Sequence, residues 1–346
     1  MSIVRKIWLF FSLMVILTAA LWVIISFYQF KKTPLLSAGQ SPVTIQLPPG
    51  KGTNYLIQLL HEKQLLKHPF AWKTFASIRT VSNHLKAGEY EIKQGTTFEQ
   101  LLNHIVTGHV LMRPFTIIEG WTYAELLKAL RENGYLKHMT QQFNETQVLK
   151  MLGSPYRQAE GLFYPDTYFY TWGQSDFTIL QQAFLKMKHV LQQAWNARSR
   201  GLVYQNVYEA LIVASLIEKE TGITSEKWLI SAVVSNRLKK RMRLQVDPTI
   251  SYGLGKQRQR IVHSDFKILT PYNTYLHFGL PPTPIALPSE SSIQAALHPA
   301  TVDFLFYVAD GNGGHIFSKN YEAHLQAIKA YQNQREKNGV PQPSSE

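Results

Sequence analysis

One pattern of apolar residues around a glycine occurs three times between residues 45 and 130. In each copy, two apolar residues lie five and three positions before the glycine, and three more lie six, seven and ten positions after it. The first pair has the period of a strand, and the later set has the spacing of a helix face. The three glycines are Gly50, Gly95 and Gly120. Each copy therefore predicts a strand, a tight turn and a helix, which makes the chain an α+β protein.

A threonine follows each of these glycines by two or three residues. These residues are Thr53, Thr97 and Thr122. A threonine side chain at this place can accept a hydrogen bond from the first turn of the helix. The sequence therefore predicts that all three threonines are N-caps.

Residues 7–30 form a run of 24 residues without a charged side chain. As a helix they extend about 36 Å, which is enough to cross a hydrocarbon core of about 30 Å. A cleaved signal peptide is the alternative, but its apolar part is shorter and ends in small residues. We expect a single transmembrane helix at 7–30, preceded by a short cytoplasmic N-terminus at 1–6 and followed by a linker at 31–42. The flanking basic residues are equal in number, and only the short N-terminal flank favours export of the body.

Composition narrows the chemistry that the chain can perform. The chain has no cysteine, which excludes disulfides, thiol catalysis and cysteine-bound zinc. It also lacks a His-Glu-x-x-His motif, and we predict neither a metal nor a cofactor. The net charge is +13, and +11 of it belongs to the body beyond residue 30. Such a body is attracted to anionic surfaces.

A basic run, Lys239-Lys240-Arg241 with Arg243, continues a predicted helix, and Arg258 and Arg260 follow later. No groove-reading motif accompanies the run, so we predict no nucleic-acid partner. We interpret the run as a solvated face or as a contact with anionic lipid headgroups.

The candidate catalytic residue is Glu218, which lies on a helix predicted at 206–221 and ended by Gly222. Val207, Leu211 and Ala214 form a stripe on this helix, and Glu218 is the next position of the stripe. An apolar wall and the negative helix end would both raise the pKa of Glu218, as a general acid requires. Glu220 is turned about 200° away and is expected to face water. A helix end with Glu218 in solvent is the alternative.

Several ordered segments resemble the endolytic murein transglycosylases, which form the YceG-like family. Ala214-Ser-Leu-Ile-Glu218-Lys-Glu-Thr221 is similar to their active-site segment. The other similar segments are Glu160–Tyr168, Asn236–Leu238, Met242–Thr249 with Tyr252-Gly253, Thr270–Tyr275, Gly279–Ile285 and Val308–Phe317. The segment Gly88–Leu102 resembles the first half of a LysM module, the small fold that binds cell-wall glycans, although the aspartate usual after its glycine is missing.

The resemblance implies cleavage of the peptidoglycan glycan between N-acetylmuramic acid and N-acetylglucosamine, without attack by water. Glu218 would protonate the leaving oxygen and then take the proton of the muramic acid 6-hydroxyl, which closes a 1,6-anhydro ring. Cleavage near the membrane-held end would terminate strand elongation, with peptidoglycan synthases as candidate partners. The implied location is the inner membrane, with the body in the periplasm. The expected substrate-binding residues are Asn236, Gln245, Asp247, Thr249 and Tyr252, each with a structural role as the alternative.

The predicted organisation is a LysM-like subdomain at 43–112, a larger α+β catalytic domain at 113–335 and a flexible tail at 336–346. Two other functions stay open. An ordinary glycoside hydrolase would pair Glu218 with Asp247, Asp166 or Glu160. An anchored glycan-binding scaffold would have no activity. Ser264-x-x-Lys267 matches a penicillin-recognition motif but lacks its partner Lys-Thr-Gly, and His315 is interpreted as structural.

Overall fold

The computed structural model describes residues 3–66, 85–255 and 261–337, and it has a mixed α+β architecture. The chain divides into two compact units. The first comprises Met1–Arg113 with Tyr170–Gly173, and the second comprises Pro114–Phe169 with Gln174–Glu346. Two further strands, β3 (Met112–Thr116) and β4 (Thr167–Thr171), pair with each other. Residues 67–84 of the predicted LysM-like subdomain lie outside the described residues.

The first unit is built by the first two copies of the repeat. Its elements are β1 (Val43–Leu47), α2 (Thr53–Glu62), β2 (Gly88–Ile92) and α3 (Phe98–Thr107). The two strands pair antiparallel with Ile45 opposite Tyr90. All ten apolar positions of these two copies are buried in one cluster. The predicted strand, turn and helix are therefore confirmed in both copies, and their pattern encodes a shared core.

The third copy has the same local structure. Phe115 lies in β3, Ile117 follows it, and α4 spans Tyr123–Glu132. Gly120 has a φ of +74°, close to the +76° of Gly50 and the +80° of Gly95. This left-handed conformation is one that glycine adopts without steric cost, which explains the glycine in each turn.

Two of the three predicted caps are confirmed. Thr97 and Thr122 each accept a hydrogen bond from the third helical residue, and that residue's side chain returns a bond to the cap. Thr53 is not a cap, because α2 begins at Thr53 itself and Gly52 precedes it without a side-chain bond. Thr53 follows its glycine by three residues, while the other two follow by two, and this extra residue moves it into the helix.

Helix α1 spans Ile3–Lys32 and contains the predicted anchor. Several of its large side chains are exposed, among them Trp8 and Trp22. Within the described residues, no helix has the length and apolar character needed to cross a membrane. The anchor at 7–30 stays a prediction.

The second unit is organised around one buried helix, α7 (Val207–Glu220). Every residue from Ala210 to Ile217 is buried, and the helix packs against its neighbours on several sides. Those neighbours are α6 (Asp176–Asn196), α8 (Thr224–Lys239), α9 (Asp247–Gly253) and α10 (Glu290–Leu297). A helix that is apolar on all sides belongs in a core. The predicted helix at 206–221 is confirmed to within one residue at each end.

The remaining elements lie on either side of this core in the chain. A short α5 (Glu145–Leu152) and a 3-10 turn at Thr140–Gln142 precede it. A 3-10 turn at His263–Lys267 follows α9, and an antiparallel hairpin, β5 (Phe306–Ala309) with β6 (His315–Ser318), follows α10. Helix α11 (Tyr321–Lys337) packs against the hairpin. It includes Glu336 and Lys337 of the predicted tail, and residues 338–346 lie outside the described residues.

Candidate active site

Glu218 lies in the last turn of α7, where the helix leaves the core. Leu211 and Ala214, on the same stripe, are fully buried, while the Glu218 side chain retains 9% of its exposure. The turn of the third repeat copy lies beside it, since a Cβ on Gly120 would be 3.9 Å from the Glu218 Cγ. The Lys219 ammonium donates to the Gly120 carbonyl at 3.2 Å. The stripe therefore places a carboxylate at the edge of the core, as predicted.

Four donors converge on a single oxygen of Glu218. Oε2 accepts from the Ser289 amide at 3.0 Å, the Ser289 hydroxyl at 2.5 Å, the Ser292 hydroxyl at 2.6 Å and the Lys227 ammonium at 3.2 Å. Ser289 is also the N-cap of α10. The carboxylate thus lies at the positive end of a helix, where a negative charge is favoured.

Within the described residues, all hydrogen bonds to Glu218 end on Oε2. Oε1 is not among the buried polar atoms that lack a partner in that part of the chain. The two oxygens therefore differ, because the described residues bond to Oε2 and none of them bonds to Oε1.

Lys227 is the one charged donor of this set. Its side chain is only 5% exposed, and its ammonium also donates to the hydroxyls of Ser289 and Ser291, at 2.9 Å each. An ammonium in such a place requires partners, because an unpaired buried charge is very costly. Lys227 and Glu218 therefore neutralise each other inside the protein.

The predicted rise in the pKa of Glu218 is wrong. Burial does raise the pKa of this carboxyl, but the hydrogen bonds from Ser289 and Ser292 and the charge of Lys227 lower it further, and the net direction is downward. The expectation considered the apolar wall and the end of α7, both of which act as described. It did not include the N-terminus of α10 or the buried lysine. Without a ligand, Glu218 is therefore a carboxylate at neutral pH.

The expectation that Glu220 faces water is also wrong. Its Oε1 accepts from the Tyr307 hydroxyl at 2.7 Å, and its Oε2 is buried without a partner in the described residues. Burial raises the pKa of Glu220 to about 7, and the negative charge of Asp247 contributes to the rise. The carboxyl in this helix turn that holds a proton near neutral pH is therefore Glu220. Tyr307 comes from β5, which covers the side of α7 that was expected to be solvated.

Two of the five expected cleft residues support the backbone. The Asn236 amide donates to the carbonyls of Val302 at 2.8 Å and Phe304 at 3.0 Å, which fixes the chain before β5. Thr249 is fully buried, and its hydroxyl donates to the Val246 carbonyl at 2.7 Å. Both side chains therefore have a structural role, because they bond to backbone carbonyls.

The other three expected residues lie in polar clusters. Gln245 has a φ of +52° and accepts from the buried Arg237 guanidinium at 3.0 Å. Asp247 accepts from the Tyr275 hydroxyl at 2.5 Å, and its charge acts on Glu220. Tyr252 donates to Glu160 at 3.0 Å. None of these bonds reaches Glu218, so a direct role at the substrate stays a prediction for each.

The acidic residues considered as partners of Glu218 have partners of their own. Glu160 accepts from the Tyr123 amide at the start of α4, and burial raises the pKa of Glu160 to about 7. Asp166 forms an ion pair with Lys186, which lowers the pKa of Asp166. Both carboxyls are thus held by neighbouring elements of the fold.

Other candidate chemistry has a structural explanation. His315 bonds to Glu226 through its amide and through Nδ1, each at 2.8 Å, and so fixes the hairpin turn. Within the described ranges, no group of three or more His, Asp or Glu side chains is arranged to hold a metal ion. The exposed Ser264 and Lys267 lie in a 3-10 turn.

Sequence reasoning missed the residues that hold Glu218. Lys227 had a usable signal, because it precedes Ile230 and Val234 on an apolar stripe of α8, all three being buried. The signal is the same as the one that singled out Glu218. Ser289 could have been found as an N-cap before an apolar helix. Tyr307 gave no signal, since its partner is 87 residues away in sequence.

Comparison with known proteins extends this picture to most of the chain. A sequence profile of the YceG-like family matches residues 45–330. The endolytic murein transglycosylase of Bacillus subtilis is 26% identical over 315 residues, covering 86% of this chain and 87% of that protein. The one of Streptococcus pneumoniae serotype 2 is 26% identical over 338 residues, which cover 87% of this chain and 60% of that protein.

A crystal structure of a YceG-like protein from Listeria monocytogenes is 26% identical, covers 83% of this chain and 99% of its own, and has a TM-score of 0.49. The matched segment of the family profile includes all three repeat copies and every residue of the Glu218 site. Because this match extends over most of its length, the chain belongs to the YceG-like family.

Proposed function

We propose that this protein is an endolytic lytic transglycosylase that cleaves peptidoglycan glycan strands between N-acetylmuramic acid and N-acetylglucosamine. The observation that carries the proposal is the arrangement of Glu218, whose Oε2 is held by four donors while Oε1 stays available. The relatives in Bacillus and Streptococcus, which are named endolytic murein transglycosylases, support it. The reaction needs one carboxyl that gives up a proton and takes one back.

In the first step, Glu218 donates a proton to the oxygen that links the two sugars. The free enzyme holds Glu218 as a carboxylate, so the proton must be taken up as the glycan binds. A saccharide over Oε1 excludes water from that oxygen, which disfavours the charged form and raises the pKa. The carboxylate that results from the transfer is stabilised at once by the donors on Oε2.

In the second step, the same carboxylate takes the proton from the 6-hydroxyl of N-acetylmuramic acid. The bond between the anomeric carbon and the leaving oxygen breaks, and a bond from that carbon to the C6 oxygen forms. One proton leaves Glu218 and another returns to it, and no water is consumed. This balance explains how one acidic residue suffices where an ordinary glycosidase uses two.

The experiment incubates the full chain with purified glycan strands and analyses the fragments by mass spectrometry. Fragments with 1,6-anhydro ends are expected, lighter by one water than hydrolysed ends. Glu218→Gln should abolish them, and Glu132→Gln, at an exposed position at the end of α4, is the matched control. Ends that have gained water would assign the protein to the hydrolases instead. Intact strands would favour the scaffold.

We further propose that residues 7–30 anchor the protein in the inner membrane, with the catalytic unit in the periplasm. The uncharged run and the exposed apolar side chains of α1 support this. An anchored enzyme would cut strands near their membrane-held end and so terminate elongation, with the peptidoglycan synthases as partners.

The absence of cysteine gives a clean topology test. A membrane-impermeant maleimide should label Ser264→Cys in intact spheroplasts, while Ser2→Cys should react only after lysis. The reverse labelling pattern would contradict the proposed orientation. Labelling of both positions before lysis, with the protein in the soluble fraction, would contradict the anchor.

A further inference from the structure

A shallow groove of about 350 Å³ lies where α8 ends. Leu238, Arg241, Met242, Phe278 and Gly279 line it. Lys239, Lys240 and Arg243, all exposed, adjoin it in the chain. These eight residues are called the basic groove. The groove has an apolar floor and a cationic border, and nothing in the proposed cleavage uses it.

The backbone of the basic groove is held in place. Arg241 has a φ of +52°, and the Met242 amide donates to the Arg237 carbonyl at 2.8 Å, which ends the helix. The buried Arg237 guanidinium then donates to the carbonyls of Arg243 at 3.2 Å and Leu244 at 2.9 Å. The four basic side chains at 239–243 therefore project from a fixed turn. Within the described residues, none of these four side chains takes part in an ion pair.

Phe278 gives the groove its second property. Its side chain is 65% exposed, and the guanidinium of Arg243 lies over its ring at 5.0 Å from the centroid. An exposed phenyl ring beside several cations matches the boundary between lipid headgroups and acyl chains. Nucleic-acid bases also stack on aromatic rings, but Arg243 already occupies one face of this ring.

We propose that the basic groove docks the catalytic unit onto the surface of an anionic phospholipid membrane. Lys239, Lys240 and Arg241 face the headgroup phosphates, and Phe278 enters the layer beneath them. The opposite charges of surface and groove carry this choice of partner. The inference goes beyond the proposed function, since it concerns a surface that does not include Glu218 and does not depend on cleavage.

The test uses the full chain in lipid nanodiscs, with an environment-sensitive dye on His277→Cys. The chain has no other cysteine, so the dye reports on the exposed position next to Phe278. We expect a blue shift, and quenching by lipids that carry a nitroxide, in discs with phosphatidylglycerol but not in discs of phosphatidylcholine alone. A dye on Lys188→Cys, exposed on α6, should respond to neither.

Charge variants sharpen the test. Each basic residue near an anionic surface contributes to the free energy of membrane binding. The double variant Lys239→Gln with Lys240→Gln should therefore lower the equilibrium constant for docking onto the membrane about thirtyfold. The matched control is Lys63→Gln with Lys128→Gln, two exposed lysines elsewhere, which should have no effect. Phe278→Ser should reduce nitroxide quenching while the salt dependence is kept.

Equal signals in zwitterionic and anionic discs would overturn the proposal. So would an equal response to a soluble DNA oligonucleotide with zwitterionic discs, because it would show a general polyanion site. The dye measurement is repeated on Glu218→Gln, which lacks the proposed catalytic acid. Docking is therefore measured independently of cleavage, even if the proposed function is wrong.

Discussion

Replacing Ser292 by alanine tests whether the donors on Oε2 control the ionisation of Glu218. The change removes one hydroxyl donor at 2.6 Å and leaves the Ser289 and Lys227 bonds in place. A hydrogen bond to a charged acceptor contributes about 1.5–3 kcal/mol. Since about 1.4 kcal/mol corresponds to one pH unit, the pKa of Glu218 should rise by about one to two pH units. The lost bond favours the ionised form, so its removal favours the protonated acid.

The assay is the pH dependence of kcat/KM for release of anhydro-ended fragments. Activity that needs a protonated Glu218 declines on the alkaline side, and Ser292→Ala should move this descending limb to higher pH by the same amount. Ser264→Ala, at an exposed serine in a 3-10 turn, is the control and should leave the limb unchanged. The reasoning is refuted if the variant loses activity at every pH equally while its limb stays at the wild-type position. Circular dichroism and thermal melting establish that both variants are folded.

Three further predictions concern stability. Because burial raises the pKa of Glu220 to about 7 from 4.5, its contribution is fully present below pH 4.5 and is lost as pH rises through 7. Between pH 5 and 8, the free energy of unfolding of Glu220→Gln, measured with denaturant, should therefore fall by up to about 3 kcal/mol less than that of the wild type. Parallel plots of this free energy against pH would contradict the prediction. Lys227→Met should cost about 3–5 kcal/mol by leaving the Glu218 charge unpaired. Adding Glu218→Gln should restore much of the lost free energy of unfolding. A double variant whose loss equals the sum of the two single losses would argue against the pairing. Thr97→Ala should lower the stability of the first unit by about 1 kcal/mol, measured by hydrogen exchange of α3, with no change in cleavage.

The sequence predicts the local structure of the repeat well because its signals are local. Ile45, Leu47 and their counterparts specify strand, turn and helix within about fifteen residues, and the same residues form the core. The error at Thr53 arises from one additional residue between the turn glycine and the threonine. Gly222, which was expected to end helix α7, is a second position where the local signal does not match the structure. Helix α7 ends at Glu220, Thr221 follows in an extended conformation with φ −143°, and Gly222 is not among the glycines with positive φ.

The candidate site is only half predictable for a different reason. The stripe on α7 locates Glu218, because the period of a helix is fixed by its own backbone. The ionisation state of Glu218 depends on Ser289, 71 residues later, and the hydrogen-bond partner of Glu220 is Tyr307, 87 residues later. The residue pattern of α7 carries no information about partners that are 71 and 87 residues away in sequence. Only the tertiary fold brings α10 and β5 to the two sides of one helix turn.

Ser289 has two roles at once, since it caps α10 and bonds to Glu218. When Glu218 takes up a proton, Oε2 attracts the hydroxyl less, and the Ser289 side chain becomes freer to accept from the Ser292 amide at 3.3 Å. The first turn of α10 should then tighten and relax in step with every proton that Glu218 gains and loses. Catalytic turnover would thus be detectable in the backbone amides of α10.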